Sequence, residues 1–311
     1  MADSWTVDAA AAGARLDKFL ADAGRLGSRG RSTEAIKKGK VFVNDREAES
    51  VDGGKPLAVG DRVRVWMDRP GSAKRRPSPR RIDGLAILYE DDDVIAINKP
   101  AGILTVPLPS REDDSVQDQV EQHLRSHKRR RPFVVHSIDR DTSGVVLFAK
   151  HAAAHAILKQ QFLRQEPERL YLAVVYGRPT PPAGTWRDML TWDQHALIQK
   201  ETDKRDPHGK EAVSDYRVVE QYKDTALIEV KLTTGKRNQI RIQARLRGHT
   251  LVGEQRYVYG PEELRPIDFP RQALHAARLG VRHPSTGEPL RLDAPVPADF
   301  KKLMKELRAG H

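Results

Sequence analysis

The segment HSIDRDTSGVVLFAK, His136 to Lys150, sets two aspartates one residue apart, ahead of Thr-Ser-Gly and an apolar run. A carboxylate in that position has two uses. Asp, Ser and Thr before a strand are turn formers, because their side chains bond nearby backbone amides. A poorly solvated carboxylate can instead serve as a nucleophile or a general base. Two further candidates lie far along the chain. Tyr171 falls in the middle of RLYLAVVYG, a strand pattern in which a tyrosine ordinarily packs. TTGKRNQIRIQARLRG carries Arg237, Arg241 and Arg245 at i, i+4 spacing, which puts three cations on one face of a helix starting near Arg237. That face is either solvated or an anion site for RNA or a carboxylate. HAAAH sets His151 and His155 one helical turn apart, but without cysteine or an obvious third ligand these read as surface or packing histidines, and no metal is expected. Walker, G-x-S-x-G and dinucleotide glycine patterns are absent.

The elements that must hold these groups can be read around them. Two short β-rich runs, ILY and VIAIN, flank an acidic turn, and Lys99-Pro100-Ala-Gly ends the second. HAAAHAILKQQF is helical; in ERLYLAVVYG, Leu170, Leu172 and Val174 take one strand face and Tyr171, Ala173 and Val175 the other. AVSDYRVVEQY, TALIEVKLTTG and ALHAARLGVRHP read as strands, and RNQIRIQARLRG as a helix stopped by Gly248. Strands outnumber helices and do not alternate with them, which predicts α+β rather than a doubly wound sheet. Upstream, DRPGSAKRRPSPRR lacks apolar periodicity and reads as an extended basic linker, residues 68–82, between a unit of 1–67 and a domain of 83–311. In the first unit RLDKFLADAG is helical, and a basic helix runs from an N-cap at Ser28 to Gly39. VFVN and GDRVRVW are short strands.

Composition narrows the partners. The 311 residues include no cysteine, carry a formal net charge of +11, and are 38% hydrophobic, enough for a large and a small core. The excess charge clusters in KRRPSPRR and in KRRR from Lys128 to Arg131, which favours a polyanion, nucleic acid above all. No stretch approaches the roughly 20 apolar residues of a membrane span. MADSWTVDAAAAGARL does not read as a signal peptide, so a cytoplasmic location is expected.

From about Ala14 to Val65 the order of a helix, an SR-led basic helix, G-x-V-x-V-N and GD-x-V resembles the small RNA-binding domain first described in ribosomal small-subunit protein four. From Ile87 to Phe300 the chain resembles the RluA family of RNA pseudouridine synthases. VHSIDRDTSGVVLFAK resembles H-R-L-D-x-x-T-S-G, RLYLAVVYG resembles K-x-Y-x-A-x-x-x-G, and TGKRNQIR resembles T-G-R-x-H-Q-I-R. ILYEDDDVIAINKPAGILTVP and RQALHAARLGVRHPSTGEPLRLDAPVPADF resemble the opening and closing segments.

The resemblance implies a pseudouridine synthase fold with a mixed, mainly antiparallel central sheet, and a small N-terminal α/β RNA-binding domain. It makes Asp139 the catalytic carboxylate and Asp141 the turn residue. Arg241 becomes the guanidinium that binds Asp139 bidentately, and Tyr171 the ring stacked on a flipped base, assisting proton removal. It requires no cofactor. The implied partner is structured RNA, with 23S-type large-subunit ribosomal RNA favoured over tRNA, and a monomer is expected. Candidate RNA contacts are Arg15, Arg29, Arg31, Lys37, Lys38, Lys74, Arg75, Arg76, Lys128, Arg129, Arg130, Lys236 and Arg237. Three positions depart from the signatures: Ser137 replaces an arginine thought to fill the gap left by the flipped uridine, and Lys236 and Asn238 replace Arg and His. Two competing readings are a non-catalytic RNA-binding ribosome-assembly factor and an RNA glycosidase using Asp141 as a second carboxylate. The joint retention of Asp139, Tyr171 and Arg241 argues against the first.

Overall fold

The computed structural model describes residues 3–37, 39–48, 50–67, 81–82, 84–107, 115–126 and 131–310. Lys38, Lys74, Arg75, Arg76, Lys128, Arg129 and Arg130, with most of the expected linker, lie outside them. Two compact units emerge, Met1–Arg76 and Pro77–His311.

The first unit contains β1 (Asp3–Thr6), α1 (Leu16–Leu20), α2 (Arg29–Lys37), β2 (Val41–Val43), β3 (Arg46–Glu47) and β4 (Arg62–Val65). Its sheet runs β1-β4-β2-β3, antiparallel throughout. The spacing of Leu16, Phe19 and Leu20 buries one face of α1 against Ile36, Val41, Val63 and Val65. The Ser28 hydroxyl accepts from the Arg31 amide at 3.2 Å, starting α2 where its sequence calls for a cap. The strand β1 carries no clear alternation and was not expected.

The second unit continues with β5 (Arg81–Ile82), β6 (Leu85–Glu90), β7 (Val94–Lys99), α3 (Val116–Ser126), β8 (Phe133–Val134), β9 (Ser143–Ala149), α4 (Ala152–Leu163) and β10 (Glu168–Tyr176). After these come β11 (Ala183–Asp193), β12 (Ile198–Thr202), β13 (Lys210–Gln221), β14 (Thr225–Leu232), α5 (Gln239–Leu246), β15 (Leu274–Arg282), β16 (Pro289–Asp293) and α6 (Ala298–Arg308). One twelve-stranded sheet runs β12-β11-β13-β14-β10-β15-β9-β7-β6-β5, with β16 on β15 and β8 on β9. Among the strands of the described residues, only β9 and β15 pair in parallel.

Helices cover both faces. Val146 and Phe148 of β9 pack toward Val116, Val120 and Leu124 of α3, while Val145, Leu147 and Ala149 pack toward Ala154 and Leu158 of α4. Burial on both faces explains why SGVVLFA is apolar without alternation. On β10, Ala173 and Val175 face Ile240 and Ala244 of α5, whereas Val174 faces Phe300, Leu303 and Leu307 of α6. The register then brings distant motifs together. Ala276 of β15 pairs with Gly144 on one side and with Tyr171 on the other, so the HSIDRDTSG segment and the β10 tyrosine meet across one strand. That approach requires glycine. Gly144 has φ +121°, and a Cβ there would lie 2.1 Å from the Ala276 carbonyl oxygen.

Candidate active site

Asp139 sits in the loop leading into β9, and both of its neighbours are pinned. The Thr105 hydroxyl donates to the Ile138 carbonyl at 2.8 Å and accepts from the Ile138 amide at 3.2 Å. The Arg140 carbonyl accepts from the Gly102 amide at 3.0 Å and from Lys99 Nζ at 2.6 Å. Lys99 is fully buried, and its Nζ also donates to the carbonyls of Pro100 (2.9 Å) and Ile103 (2.7 Å). Burial pushes its ammonium down to about 7, against the pull of Asp141 and Asp139. The Lys-Pro-Ala-Gly segment is therefore a clasp on the Asp139 loop, a role its position at a strand end did not reveal.

The Asp139 carboxylate is held through one oxygen. Oδ2 accepts from Asn238 Nδ2 at 2.8 Å and from Arg241 Nη1 at 3.2 Å. Oδ1 accepts no hydrogen bond among the described residues. The expected bidentate clamp of Arg241 on Asp139 is thus corrected: the guanidinium is bidentate with Glu254, Nε and Nη2 each donating at 2.7 Å. The Glu254 side chain is 0% exposed, and its Oε1 also accepts from the Arg256 and Tyr257 amides at 2.8 and 3.1 Å. Burial opposes its charge, but Arg241 and these amides outweigh it and hold the carboxyl below its usual range. Burial likewise opposes the Arg241 charge, and Glu254 and then Asp139 raise it well above the usual arginine value. Gly253, at φ +73°, lets the chain pass the Arg271 carbonyl, where a Cβ would come within 1.9 Å, and so delivers Glu254.

Asn238 is equally central. It has φ +51° and shares its side chain between Asp139 and the Tyr257 hydroxyl, which donates to Oδ1 of Asn238 at 3.1 Å. The helix α5 consequently starts at Gln239, two residues later than the arginine spacing suggests. The expected three-arginine face does not form. Arg237 precedes the helix with its guanidinium 4.1 Å over the Trp192 ring, Arg241 is buried, and Arg245 donates to the Val258 carbonyl at 3.0 Å.

Asp139, Tyr171, Lys236, Arg237 and Arg241 all line one cavity of about 380 Å³, with Ser137, Arg169 and Asn238. That volume suits a small ligand or one nucleotide. Desolvation pushes the Tyr171 phenol up to about 12; Arg169 works against the rise and Asp139 adds to it, so the ring is neutral and protonated at pH 7. Asp141 does not line the cavity, and its carbonyl accepts from Arg271 at 3.1 Å. Ser137 lines the mouth, exposed. The two histidines of HAAAH are structural. His151 caps α4, accepting from the Ala154 amide at 3.2 Å and bonding Asp93 at 2.7 Å, and His155 bonds the Val134 carbonyl at 3.1 Å. Asp91, Asp93 and His283 lie within 4.8 Å of one another, but His283 bonds Asp91 at 2.7 Å and Ser285 bonds Asp93 at 2.7 Å, so their polar atoms are already partnered.

The cations of the small unit are partly engaged within it. Arg15 and Arg29 reach Asp17 at 3.0 and 3.4 Å, while Arg31 and Lys37 are exposed on α2.

A mixed twelve-stranded sheet thus holds an aspartate, a tyrosine and a buried arginine around a nucleotide-sized cavity. Two human structures share this fold: RNA pseudouridylate synthase domain containing 4 (TM-score 0.58, 22% identity, 71% of this chain and 92% of that one) and domain containing 1 (0.58, 21%, 75% and 98%). The RNA pseudouridylate synthase family model matches residues 93–246, and the S4 domain model matches 14–63. An RNA pseudouridine synthase of Bacillus subtilis, YlyB, is 36% identical over 298 residues, covering 94% of each chain. The ribosomal large subunit pseudouridine synthase D of Zymomonas mobilis is 33% identical over 310 residues, covering 95% of this chain and 94% of its own. That of a Neisseria meningitidis serogroup A strain is 34% identical over 316 residues, covering 97% and 81%. The chain belongs to the RNA pseudouridylate synthase family, of the RluA type with an N-terminal S4 domain. It is an isomerase that converts uridine to pseudouridine in RNA.

Proposed function

We propose that this enzyme isomerises uridines of 23S-type large-subunit ribosomal RNA, with Asp139 as the catalytic carboxylate. The observation that carries the assignment is the asymmetry of that carboxylate. Oδ2 is occupied by Asn238 and Arg241, and Oδ1 is left toward a cavity shared with Tyr171. A flipped uridine meets Oδ1 first. Oδ1 either attacks the anomeric carbon, whose electron pair to N1 leaves with the uracil, or takes the proton from the adjacent sugar carbon. The detached uracil turns against the Tyr171 ring, its C5 bonds the anomeric carbon and the carboxylate is restored; the C5 proton is then lost, with the Tyr171 hydroxyl relaying it, and N1 takes one up, so that substrate and product are isomers. Arg241 gives Asp139 a charge-assisted contact through Oδ2 at 3.2 Å, and Glu254 keeps Arg241 from closing over both oxygens.

The ribosomal target is favoured by the relatives named large-subunit synthases and by the basic S4 unit. We assign residues 1–67 to RNA binding, 68–82 to a basic linker and 83–311 to catalysis, in a cytoplasmic monomer. No helix of the described residues is long and apolar enough to cross a membrane. The test is pseudouridine mapping of total cellular RNA with and without this gene. Loss of one or more large-subunit sites is expected; loss confined to tRNA would overturn the ribosomal assignment.

A further inference from the structure

The cavity holds more positive charge than its own carboxylates neutralise. Arg169, Lys236, Arg237 and Arg241 line it with Asp139 alone opposing them. Arg241 is matched by Glu254 behind it, and Arg237 lies over Trp192 in solvent. That leaves Arg169 and Lys236, on the two walls that meet at Gly235.

Arg169 precedes Tyr171 by two residues on β10, so both side chains leave the same face of the strand. Its Nη2 donates to the Thr233 carbonyl at 2.8 Å, and its Nε is shielded from solvent with no partner. Nη1 lies 2.4 Å from where a Cβ of residue 235 would stand, so the glycine of the T-G-K turn makes room for the guanidinium. Neither Arg169 nor Lys236 forms an ion pair among the described residues. The backbone of Lys236 is fixed, its amide donating to Gln239 Oε1 at 2.9 Å, and Gln239 is itself locked by Thr234 at 2.8 Å. The ammonium is depressed below its usual value by burial, then by Lys210 and Arg169, against a weaker opposing pull from Glu211. Two unpaired cations fixed in one cavity repel each other until an anion arrives.

We propose that Arg169 and Lys236 form a subsite for a phosphate group attached to the flipped uridine. The subsite rests on reading the cavity as a uridine pocket and adds the anchor of its sugar-phosphate end. The uncharged base makes its contacts at Tyr171, while the flanking phosphodiester enters beside Gly235 and takes hydrogen bonds from the guanidinium and the ammonium. It also gives the lysine at 236 a function that needs a charge and no planar fork. Ser137, with no charge, has no part in it.

The experiment is binding of uridine, uridine 3′-monophosphate, uridine 5′-monophosphate and inorganic phosphate to the full chain at low ionic strength, followed by NMR line shifts. One of the two nucleotides is expected to bind at least about tenfold more tightly than uridine, as a single charge-assisted contact allows. Which one it is identifies the flanking phosphate. In Lys236→Met and Arg169→Met the preference should fall at least about fivefold with uridine affinity retained, and Arg169→Lys should restore most of it. Lys236→Met keeps the test decisive if Arg169→Met fails to fold. Equal binding of uridine and both nucleotides, or a preference that survives Lys236→Met, would overturn the subsite. These measurements need no turnover, so they stand apart from whether ribosomal RNA is the substrate; binding of inorganic phosphate to the wild type but not to Lys236→Met reports the cation pair even if uridine itself does not bind.

Discussion

Replacing Glu254 by glutamine removes one negative charge and leaves side-chain volume almost unchanged. The Glu254 side chain is 0% exposed and that of Arg241 is 11% exposed, so water screens their pairing little. Breaking a buried pair by neutralising one partner costs about 3–5 kcal/mol, because the other charge stays buried. In a unit of this size each kcal/mol moves the melting temperature by roughly 2–4 °C, giving a fall of about 6–20 °C. Chemistry should suffer separately. A guanidinium released from Glu254 can shift from its single 3.2 Å contact to cover both oxygens of Asp139, closing the oxygen that the proposed reaction uses. Turnover on ribosomal RNA, measured below the variant's melting temperature, should drop at least about tenfold, an added barrier of about 1.4 kcal/mol. RNA affinity should hold within about twofold, since Glu254 does not line the cavity. Calorimetry and single-turnover pseudouridine formation read the two effects, and the Arg241→Met/Glu254→Gln double variant should be more stable than Arg241→Met alone. A Glu254→Gln protein that melts and turns over like the wild type would refute the idea that Glu254 holds Arg241.

Tyr171→Phe keeps the stacking ring and removes the hydroxyl; RNA binding should persist while product formation falls about 10²- to 10⁴-fold, the range of a lost proton-transfer group, as read by single-turnover assay. Lys99→Met leaves the carbonyls of Pro100, Ile103 and Arg140 without their shared donor. At about 1–3 kcal/mol for each of the Pro100 and Ile103 carbonyls, while that of Arg140 keeps the Gly102 amide, it should lower the melting temperature measurably and slow turnover through misplacement of Asp139. Desolvation pushes the imidazole of the fully buried His275 down to about 4, with Arg271 contributing and the Ala294 carbonyl opposing. Its folded pKa is below the unfolded value near 6.5, so the unfolded chain binds the extra proton and stability is lost as pH falls through that window. The expected slope from this group is about 1.4 kcal/mol per pH unit between pH 6.5 and 4 in denaturant titrations, and an imidazole that titrates near 6.5 by NMR would refute it.

Much of this architecture was legible because its signals are local. The alternation in RLYLAVVYG assigned Tyr171 and Val174 to opposite faces, and the structure puts α5 on one and α6 on the other. Periodicity in RLDKFLADAG and the cap at Ser28 placed both helices of the small unit. The gathering of Asp139, Tyr171 and Arg241 was reached through the joint resemblance of three motifs, since each residue taken alone favoured a turn, a core or a solvated face. What stayed hidden depends on tertiary geometry. Glu254 follows a glycine with no motif around it, and its importance arises only when Arg241 is buried 2.7 Å away. Lys99 resembles any lysine at a strand end until three carbonyls converge on it. The helix start at Gln239 was missed because Asn238 takes a left-handed conformation fixed by contacts 99 residues away in sequence. Asn238, a departure from a signature histidine, donates to the Asp139 carboxylate.

Asp139→Asn tests the central claim most directly. The amide oxygen can take the place of Oδ2, accepting from Asn238 and Arg241, while its nitrogen stands where Oδ1 must act, as neither nucleophile nor base. Quantifying pseudouridine in large-subunit ribosomal RNA incubated with the purified variant, alongside its RNA dissociation constant, should show no product above background with affinity close to wild type. Pseudouridine formed at the wild-type rate would contradict the account.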